Sequence, residues 1–434
     1  MKDTYLLKTE RAARLYFGYA RDLPLIDYHN HIAISDLVKD RRFDSIYELW
    51  LASDPYKHRL MRISGVEERY ITGDSEPYQK FLKYCEVFPL LVGTPVYAWS
   101  RMELSRIFGL SLVPSAETAK RLWDETGERL ASREYSTRGI LSRFSIEYQS
   151  PVATLLDDLA PYRAAGIAPS LRGDDLLSPT PALLAALSAR TGRHVEDTAS
   201  YLAAVGLLLD EFRAAGCAFA DHALDAGFFE ADADGARGEM LCRLGAEYEK
   251  RGFTLLLHLD AMRKTSTRLA RAAGPAGGYA AVGGRFPIPA LCGLLDRMEA
   301  AGGLPDTVLF PLSQGDMPPL AVLEGSFAED GHPAKVQLGP AWWWCDHEAG
   351  IRTALETVAS YGVLSRFIGM TTDSRSILSF VRHDYFRRIL CSWLDERCEG
   401  SDWGLSEGEL GRLVCLLSYE NAKKKIQDKS RSEK

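Results

Sequence analysis

Two histidines stand one residue apart in Asp27-Tyr28-His29-Asn30-His31, at the end of the apolar run Leu23–Ile32. Alternate side chains of a strand share a face, so His29 and His31 point the same way. Two imidazoles at this spacing take adjacent positions around one divalent ion; the plainer alternative is a pair of polar residues ending a strand. His258 closes another apolar run, Phe253–Leu259, where a satisfied core histidine and a ligand are both open readings. Asp373 stands in G-M-T-T-D-S-R-S. It is either the N-cap of a following helix, a place Ser374 and Ser376 also suit, or the carboxylate of a mixed nitrogen–oxygen site. The order H-x-H first, His in the middle and Asp last is more specific than any member alone. Arg375 either pairs with Asp373 or reaches substrate oxygens through its planar fork. Asp27 is either a support to the pair or a turn residue.

These side chains need elements that bring them together. Eight short apolar runs read as buried strands: Leu23–Ile32, Arg143–Ser150, Gly166–Leu171, Gly216–His222, Phe253–Leu259, Thr307–Leu312, Lys335–Leu338 and Phe367–Thr372. Amphipathic helical stretches separate them, such as Thr353–Ser360 with Gly362 as its stop. Alternation of strand and helix implies parallel strands with crossover helices, and eight units suggest a closed (β/α)₈ barrel of the α/β class; a doubly wound open sheet is the alternative. Residues 34–132 are too long for a loop and read as a helical insertion after the first strand, capping a barrel formed by residues 1–33 and 133–434. Arg172 to Ala215 is a smaller helical excursion. The Gly- and Pro-rich stretch Gly274–Pro289 lacks the spacing of a dinucleotide loop.

Composition narrows the class. The 434 residues carry 52 Lys and Arg against 59 Asp and Glu, a net charge of −7, which argues against nucleic acid or a membrane surface as partner. The eight cysteines form no C-x-x-C pair and read as reduced thiols of a cytoplasmic protein, with Cys217 and Cys292 in the core. The first ten residues are too polar for a signal peptide, no apolar run is long enough to span a bilayer, and the charged tail from Lys423 reads as frayed.

Several longer stretches resemble the uronate isomerases of the amidohydrolase superfamily. They are D-Y-H-N-H, D-R-R-F-D-S-I-Y-E-L-W-L, M-R-I-S-G-V-E-E-R-Y-I-T-G-D, K-V-Q-L-G-P-A-W-W-W, and V-L-S-R-F-I-G-M-T-T-D-S-R-S-I-L-S-F-V-R-H-D-Y-F-R-R-I-L-C, and the likeness runs from Leu23 to Asn421. The resemblance implies a metal-dependent barrel that interconverts D-glucuronate with D-fructuronate and D-galacturonate with D-tagaturonate. It implies His29, His31 and Asp373 as ligands of one divalent ion with His258 close by. It further implies substrate contacts from Arg172, Trp342, Trp343 and Arg375. The chain departs from the family pattern at Pro55-Tyr56-Lys57, where a His-Tyr-Lys run is usual, and at Ala98-Trp99-Ser100-Arg101, where His-Trp-Thr-His is usual. It departs again at Gln149-Ser150-Pro151 and Lys264-Thr265-Ser266.

Aldose–ketose isomerisation moves a proton between C2 and C1 and needs a proton carrier, charge stabilisation and a relay to the sugar oxygens. Asp373 is the first candidate for the carrier, a metal-activated water the alternative, and Tyr56 either a proton donor or a half-buried aromatic. Arg172 suits the substrate carboxylate or is a surface residue. Of the three tryptophans Trp342–Trp344, one or two should wall the pocket. Asp221 and His222 are second supports or strand-end caps, Arg263 is at least as much a salt-bridge partner as a ligand contact, and Arg382, Arg387 and Arg388 read as a charged helix face. Mixed His/Asp ligation suits zinc first, with manganese, iron or cobalt as alternatives. The expected partner is a small sugar acid, in a homo-oligomer. A hydrolase or lactonase on the same metal, and a sugar-acid binder without turnover, are the competing readings.

Overall fold

In this computed structural model, which describes residues 2–275 and 277–427, seven strands form one parallel sheet in chain order. They are β1 (Leu25–Asn30), β2 (Ile146–Thr154), β3 (Ser170–Arg172), β4 (Phe219–Leu224), β5 (Thr254–Leu259), β6 (Asp306–Phe310) and β7 (Val336–Leu338). Register is firmest in the middle. β4 and β5 pair from Phe219↔Thr254 to Leu224↔Leu259, and β5 and β6 from Thr254↔Asp306 to His258↔Phe310. Helices lie between successive strands, as parallel pairing requires. Seven of the eight runs expected to be strands thus contain one, with ends shifted by a few residues.

The eighth does not. Residues 367–372 pair with no strand. They run instead between β7 and β1, held largely by side chains. The Ile368 N–H donates to the Gln337 side chain at 3.0 Å, and the Thr372 N–H donates to the Asp27 carboxylate at 2.6 Å. Beyond that point the Asp373 N–H donates to the His29 carbonyl and the His31 N–H to the Ser374 carbonyl. The sheet curls so that both of its edges meet this irregular segment.

Two apolar layers follow from strand alternation. Leu255, Leu257, Leu259, Leu309, Val336 and Leu338 face the main core under the helices. Ile26, Tyr28, Phe219, Leu256, Val308, Phe310 and Ile368 form a separate inner group. Asp221 and His258 continue the inner positions of β4 and β5 toward their C-terminal ends. On β1, Tyr28 and His29 are neighbours, yet the Tyr28 ring lies 5.3 Å from Phe219 and the His29 ring 4.9 Å from His258. Strict alternation forbids this. The β1–β2 register shifts between Asp27 and Asn30, a bulge that turns both side chains inward.

Between β1 and β2 the regular elements are all helical, and prolines at first-turn positions start three of them at Pro55, Pro77 and Pro95. The smaller excursion contains helices Pro181–Thr191 and Thr198–Ala214. The Gly- and Pro-rich stretch ends in a two-residue strand, Ala281–Val282, paired antiparallel with Ala261–Met262. Helix Glu348–Tyr361 ends at Gly362 as expected. All eight cysteines are free; Cys217 is buried, whereas Cys292 is only half-buried. No described helix is long and apolar enough to cross a membrane. The charged tail is helical to Gln427, and its last residues lie outside those described.

The arginines of helix Val381–Ser401 correct their expected role as a charged surface. Arg382, Arg387 and Arg388 are buried. Arg387 donates to the carbonyls of Leu23 and Pro24, and Arg388 to those of Asp3 and Tyr5, so the helix grips the chain entering β1. His383 reaches the same region, 3.2 Å from the Asp27 carboxylate.

Asp27 is therefore the centre of the closure. It accepts from the Thr371 hydroxyl (2.9 Å), the Thr372 hydroxyl (2.9 Å) and the Asn30 amide (2.8 Å) besides the Thr372 N–H and His383. Replacing it strands several buried donors. Asp27→Ala should lower unfolding free energy by about 3 kcal/mol or more in urea titration, a loss typical of breaking a buried charged network; a change under about 1 kcal/mol would contradict this role.

Candidate metal centre and active site

The ends of β1 and β3–β5 and the segment after residue 372 meet at one mouth. His29 and Asp221 are wholly buried, and His258 nearly so. His31 lies one residue past β1 and is half-buried, as is Asp373. The Asp373 Oδ1 atom lies 3.4 Å from His29 Nε2 and 3.0 Å from His31 Nε2. Its Oδ2 accepts from the Trp342 indole N–H. Asp373 has φ of +45°, a left-handed conformation that Asp tolerates better than most residues. The backbone bond to His29 and the three side-chain contacts hold it there.

A second group shares His29. Asp221 Oδ2 lies 4.0 Å from His29 Nε2, and Asp221 Oδ1 accepts from His258 Nδ1. With the Nδ1 proton given to Asp221, His258 presents a lone pair at Nε2. His29 Nδ1 faces the Ser170 hydroxyl at 3.4 Å, which leaves its Nε2 toward the carboxylates.

His258 Nε2 is buried with no hydrogen-bond partner among the described residues, while His29 Nε2 and Asp221 Oδ2 are buried with only ion-pair contacts, to Asp373 at 3.4 Å and to Arg172 at 3.1 Å. Under-bonded buried atoms are costly, and their convergence is what a cation site requires. His29, His31 and Asp373 form one group able to hold a metal ion, and His29, Asp221 and His258 another. Both use imidazole nitrogen and carboxylate oxygen, the donors of a borderline divalent ion. Since they share His29, they describe one centre.

This centre lies in the wall of a cavity of about 400 Å³. The structure brings all the expected site residues to it: His29, His31, His258, Asp373, Arg375, Tyr56, Arg172, Trp342 and Trp343 line the same space. Trp344 does not. It packs edge-on against Tyr56 at 5.6 Å and lies under Arg59. His222 also turns away, to the Tyr248 hydroxyl. Arg263 makes the expected salt bridge, to Asp225, and also lines the cavity.

Charge matching among the cavity arginines is uneven. Arg172 is bound to Asp174 at 2.7 Å and to Asp221 at 3.1 Å. Arg263 pairs with Asp225 and Arg382 with Asp346. Arg375 makes no ion pair among the described residues and is exposed to the cavity. Burial raises the Tyr56 phenol well above its ordinary range, against the pull of Arg382, so it stays protonated. Burial would also raise Asp373, but hydrogen bonds and charge from His29 and His31 outweigh it, and the carboxyl is held well below the usual range.

The sequence leaves Asp221 open between two readings, reads Arg382 as part of a charged helix face and gives no site signal for Lys57 or Glu103, yet Lys57, Glu103 and Arg382 all line the cavity. The signal for Asp221 is its place at the end of the apolar run Gly216–His222, on the inner face. The other three sit on helices, where a charged residue ordinarily marks a solvated side.

A model of the glucuronate isomerase family matches residues 1–239 and 229–425 of the chain. The chain is 34% identical over 464 residues to a uronate isomerase of Caldanaerobacter subterraneus, covering 98% of each. It is 33% identical to one of Oceanobacillus iheyensis, covering 97% of each. Among solved structures it is similar to a uronate isomerase of Thermotoga maritima, with TM-score 0.88 and 27% identity, covering 98% of this chain and 99% of that one.

Metal affinity separates the inner contacts. Chelator competition with His31→Ala and Asp373→Ala should show loss of stoichiometric divalent metal. Asp221→Asn should weaken binding by about 10–100-fold, since it orients a ligand-side imidazole. Unchanged affinity in all three would remove the ion from this place.

Proposed function

The chain belongs to the glucuronate isomerase family, and we propose that it interconverts a hexuronate and its ketose, D-glucuronate with D-fructuronate and D-galacturonate with D-tagaturonate, at the cavity beside His29 and His31. The observation that carries this reading is the meeting of four chemical parts in one cavity. These are a converging set of nitrogen and oxygen donors, an ionised carboxylate at Asp373, a protonated phenol at Tyr56 and, among the described residues, an unpaired guanidinium at Arg375.

In this reading His29, His31 and Asp373 hold one divalent cation, zinc before manganese, iron or cobalt, with His258 at its side. When bound, the cation stabilises negative charge on the sugar oxygens as a Lewis acid. Arg375 takes the substrate carboxylate, because it alone of the cavity arginines has no carboxylate of its own. Arg172 lends the substrate its remaining N–H groups while its others hold Asp174 and Asp221. Asp373 accepts the proton from C2 and returns it to C1. Tyr56 gives its proton to O1 as charge develops there and takes back the O2 proton as C1 is protonated and the C2 carbonyl forms, which restores the phenol. Trp342 and Trp343 wall the space and exclude water, so each charged contact acts at low dielectric.

Two wider readings accompany this one. The curled sheet and the segment closing it form a (β/α)₈ barrel from residues 1–33 and 133–434, and residues 34–132 form a helical cap that delivers Tyr56. This division is supported by the cap's all-helical make-up between β1 and β2. Self-association through that cap is supported by Leu90 and Val92, apolar side chains 73% and 68% exposed.

The decisive assay follows ketose formation from D-glucuronate and D-galacturonate. Wild type should turn over at least one. Tyr56→Phe should lower kcat by about 100-fold with KM little changed, in the range of a lost acid–base group. Arg375→Met should lower kcat/KM by about 100-fold, mainly through KM. Hydrolysis of sugar lactones without ketose formation would overturn the reaction.

A further inference from the structure

Helices Pro55–Ile63, Pro95–Arg106 and Val381–Ser401 bring Lys57, Glu103 and Arg382 to the cavity wall, each 4% exposed or less. They are distinct from the metal-side cluster. The charges that act on Glu103 are those of Lys57, Asp54 and Arg382, whereas Tyr56 feels both Asp373 and the Arg382–Asp54 group. Tyr56 thus stands between the two.

The cluster's hydrogen bonding is incomplete on both sides. Lys57 Nζ donates to Asp54 at 2.6 Å, which leaves further N–H groups on the ammonium. Arg382 donates to Asp346, yet its Nε is buried without a partner. Glu103 Oε2 is likewise buried without one. A buried unmet polar group costs about 1–3 kcal/mol, which a ligand atom that meets it returns. All three side chains line the same cavity, so these donors and this carboxylate stand beside one space.

Charge decides what fits. The carboxyls of Asp54, Glu103 and Asp346 face the cations Lys57 and Arg382, so there is no excess of positive charge to attract a carboxylate. Burial drives the Glu103 carboxyl upward against the pull of Lys57, the Trp50 hydrogen bond and Arg382. The group that donates to Glu103 and accepts from Lys57 or Arg382 is a neutral hydroxyl.

We propose that Glu103, Lys57 and Arg382 form a hydroxyl-recognition subsite that holds the carbon chain of the sugar acid by its hydroxyls and sets which epimer fits. It rests on the hexuronate reading above and adds an orientation to it. The acid's carboxylate goes to Arg375, and its chain hydroxyls to Lys57, Glu103 and Arg382. A site built to bond a hydroxyl rejects an analogue lacking it by about 10⁴-fold at best, because its own polar atoms are then stranded.

The test compares kcat/KM, and binding by calorimetry, for D-glucuronate, D-galacturonate and hexuronates lacking the hydroxyl at C3, C4 or C5. Wild type should lose about 100-fold or more on at least one deoxy analogue. Glu103→Gln should lose about 10–100-fold on the full sugar acid, mainly in KM and affinity, but less than about 2-fold on that analogue. It should also shift the glucuronate-to-galacturonate ratio about 5-fold or more, with metal content unchanged. Glu103→Asp, which keeps the charge but retracts it, should show the same pattern more weakly and serves if the glutamine variant does not fold. Equal losses on every substrate with an unchanged ratio would make Glu103 a structural residue and overturn the subsite. Wild-type tolerance of every deoxy analogue within about 3-fold would overturn it without any variant. Absence of wild-type turnover would count against the isomerase reading alone, since the calorimetric comparison still decides the subsite.

Discussion

The buried carboxylate of Asp27 gathers most of the side-chain bonds that stand in for strand pairing where the curled sheet closes, beside two backbone bonds at residues 29–31 and 373–374. Thr371, Thr372, Asn30 and His383 converge on it, and each bond fixes a segment that carries a site residue. Asn30 lies between His29 and His31. Thr372 precedes Asp373. A backbone ladder would hold the same two segments side by side, but it would impose regular alternation on them. Side-chain closure leaves the backbone free to bulge at β1 and to take a left-handed turn at Asp373, and both irregularities aim ligating atoms inward.

The site that results is dense in charge yet nearly balanced. Asp221 serves His258 and Arg172 together, Asp225 serves Arg263, and Asp346 serves Arg382. This matters because an unmatched ion in a buried wall is expensive, whereas a matched one fixes geometry without attracting ligands indiscriminately. The few atoms left unmatched then define recognition. On the sheet side they are imidazole nitrogens; at Arg375 a whole guanidinium; among helices Pro55–Ile63, Pro95–Arg106 and Val381–Ser401 a carboxylate oxygen and nitrogen donors. A sugar acid bound at a divalent ion presents oxygens to the first, a carboxylate to the second and hydroxyls to the third.

The legible parts of the chain were those whose physics is local. Runs such as T-L-L-L-H-L in β5 read as strands because a parallel strand buried on both faces must be continuously apolar. His29, His31, His258 and Asp373 stood out because each ends such a run. Residues 367–372 read as a strand for the same reason and are not one: their partners are the side chains of Asp27 and Gln337, which no periodicity reports. Arg382, Arg387 and Arg388 read as a solvated face because charged residues at helical spacing usually are. Their burial depends on distant acceptors, the Asp346 carboxylate and the carbonyls of Leu23, Pro24, Asp3 and Tyr5. Lys57 and Glu103 were hidden likewise, since each needs a helix from another part of the chain to make a wall.

The central claim is that closure through Asp27 sets one divalent ion among His29, His31 and Asp373. Anomalous X-ray scattering from crystals of the protein, collected at the zinc, iron and manganese edges, tests it most directly. The expected result is one peak within bonding distance of His29 Nε2, His31 Nε2 and an Asp373 carboxylate oxygen, with His258 Nε2 facing it. A peak elsewhere, or fully metal-loaded protein whose ion touches neither His29 nor Asp373, would contradict the account.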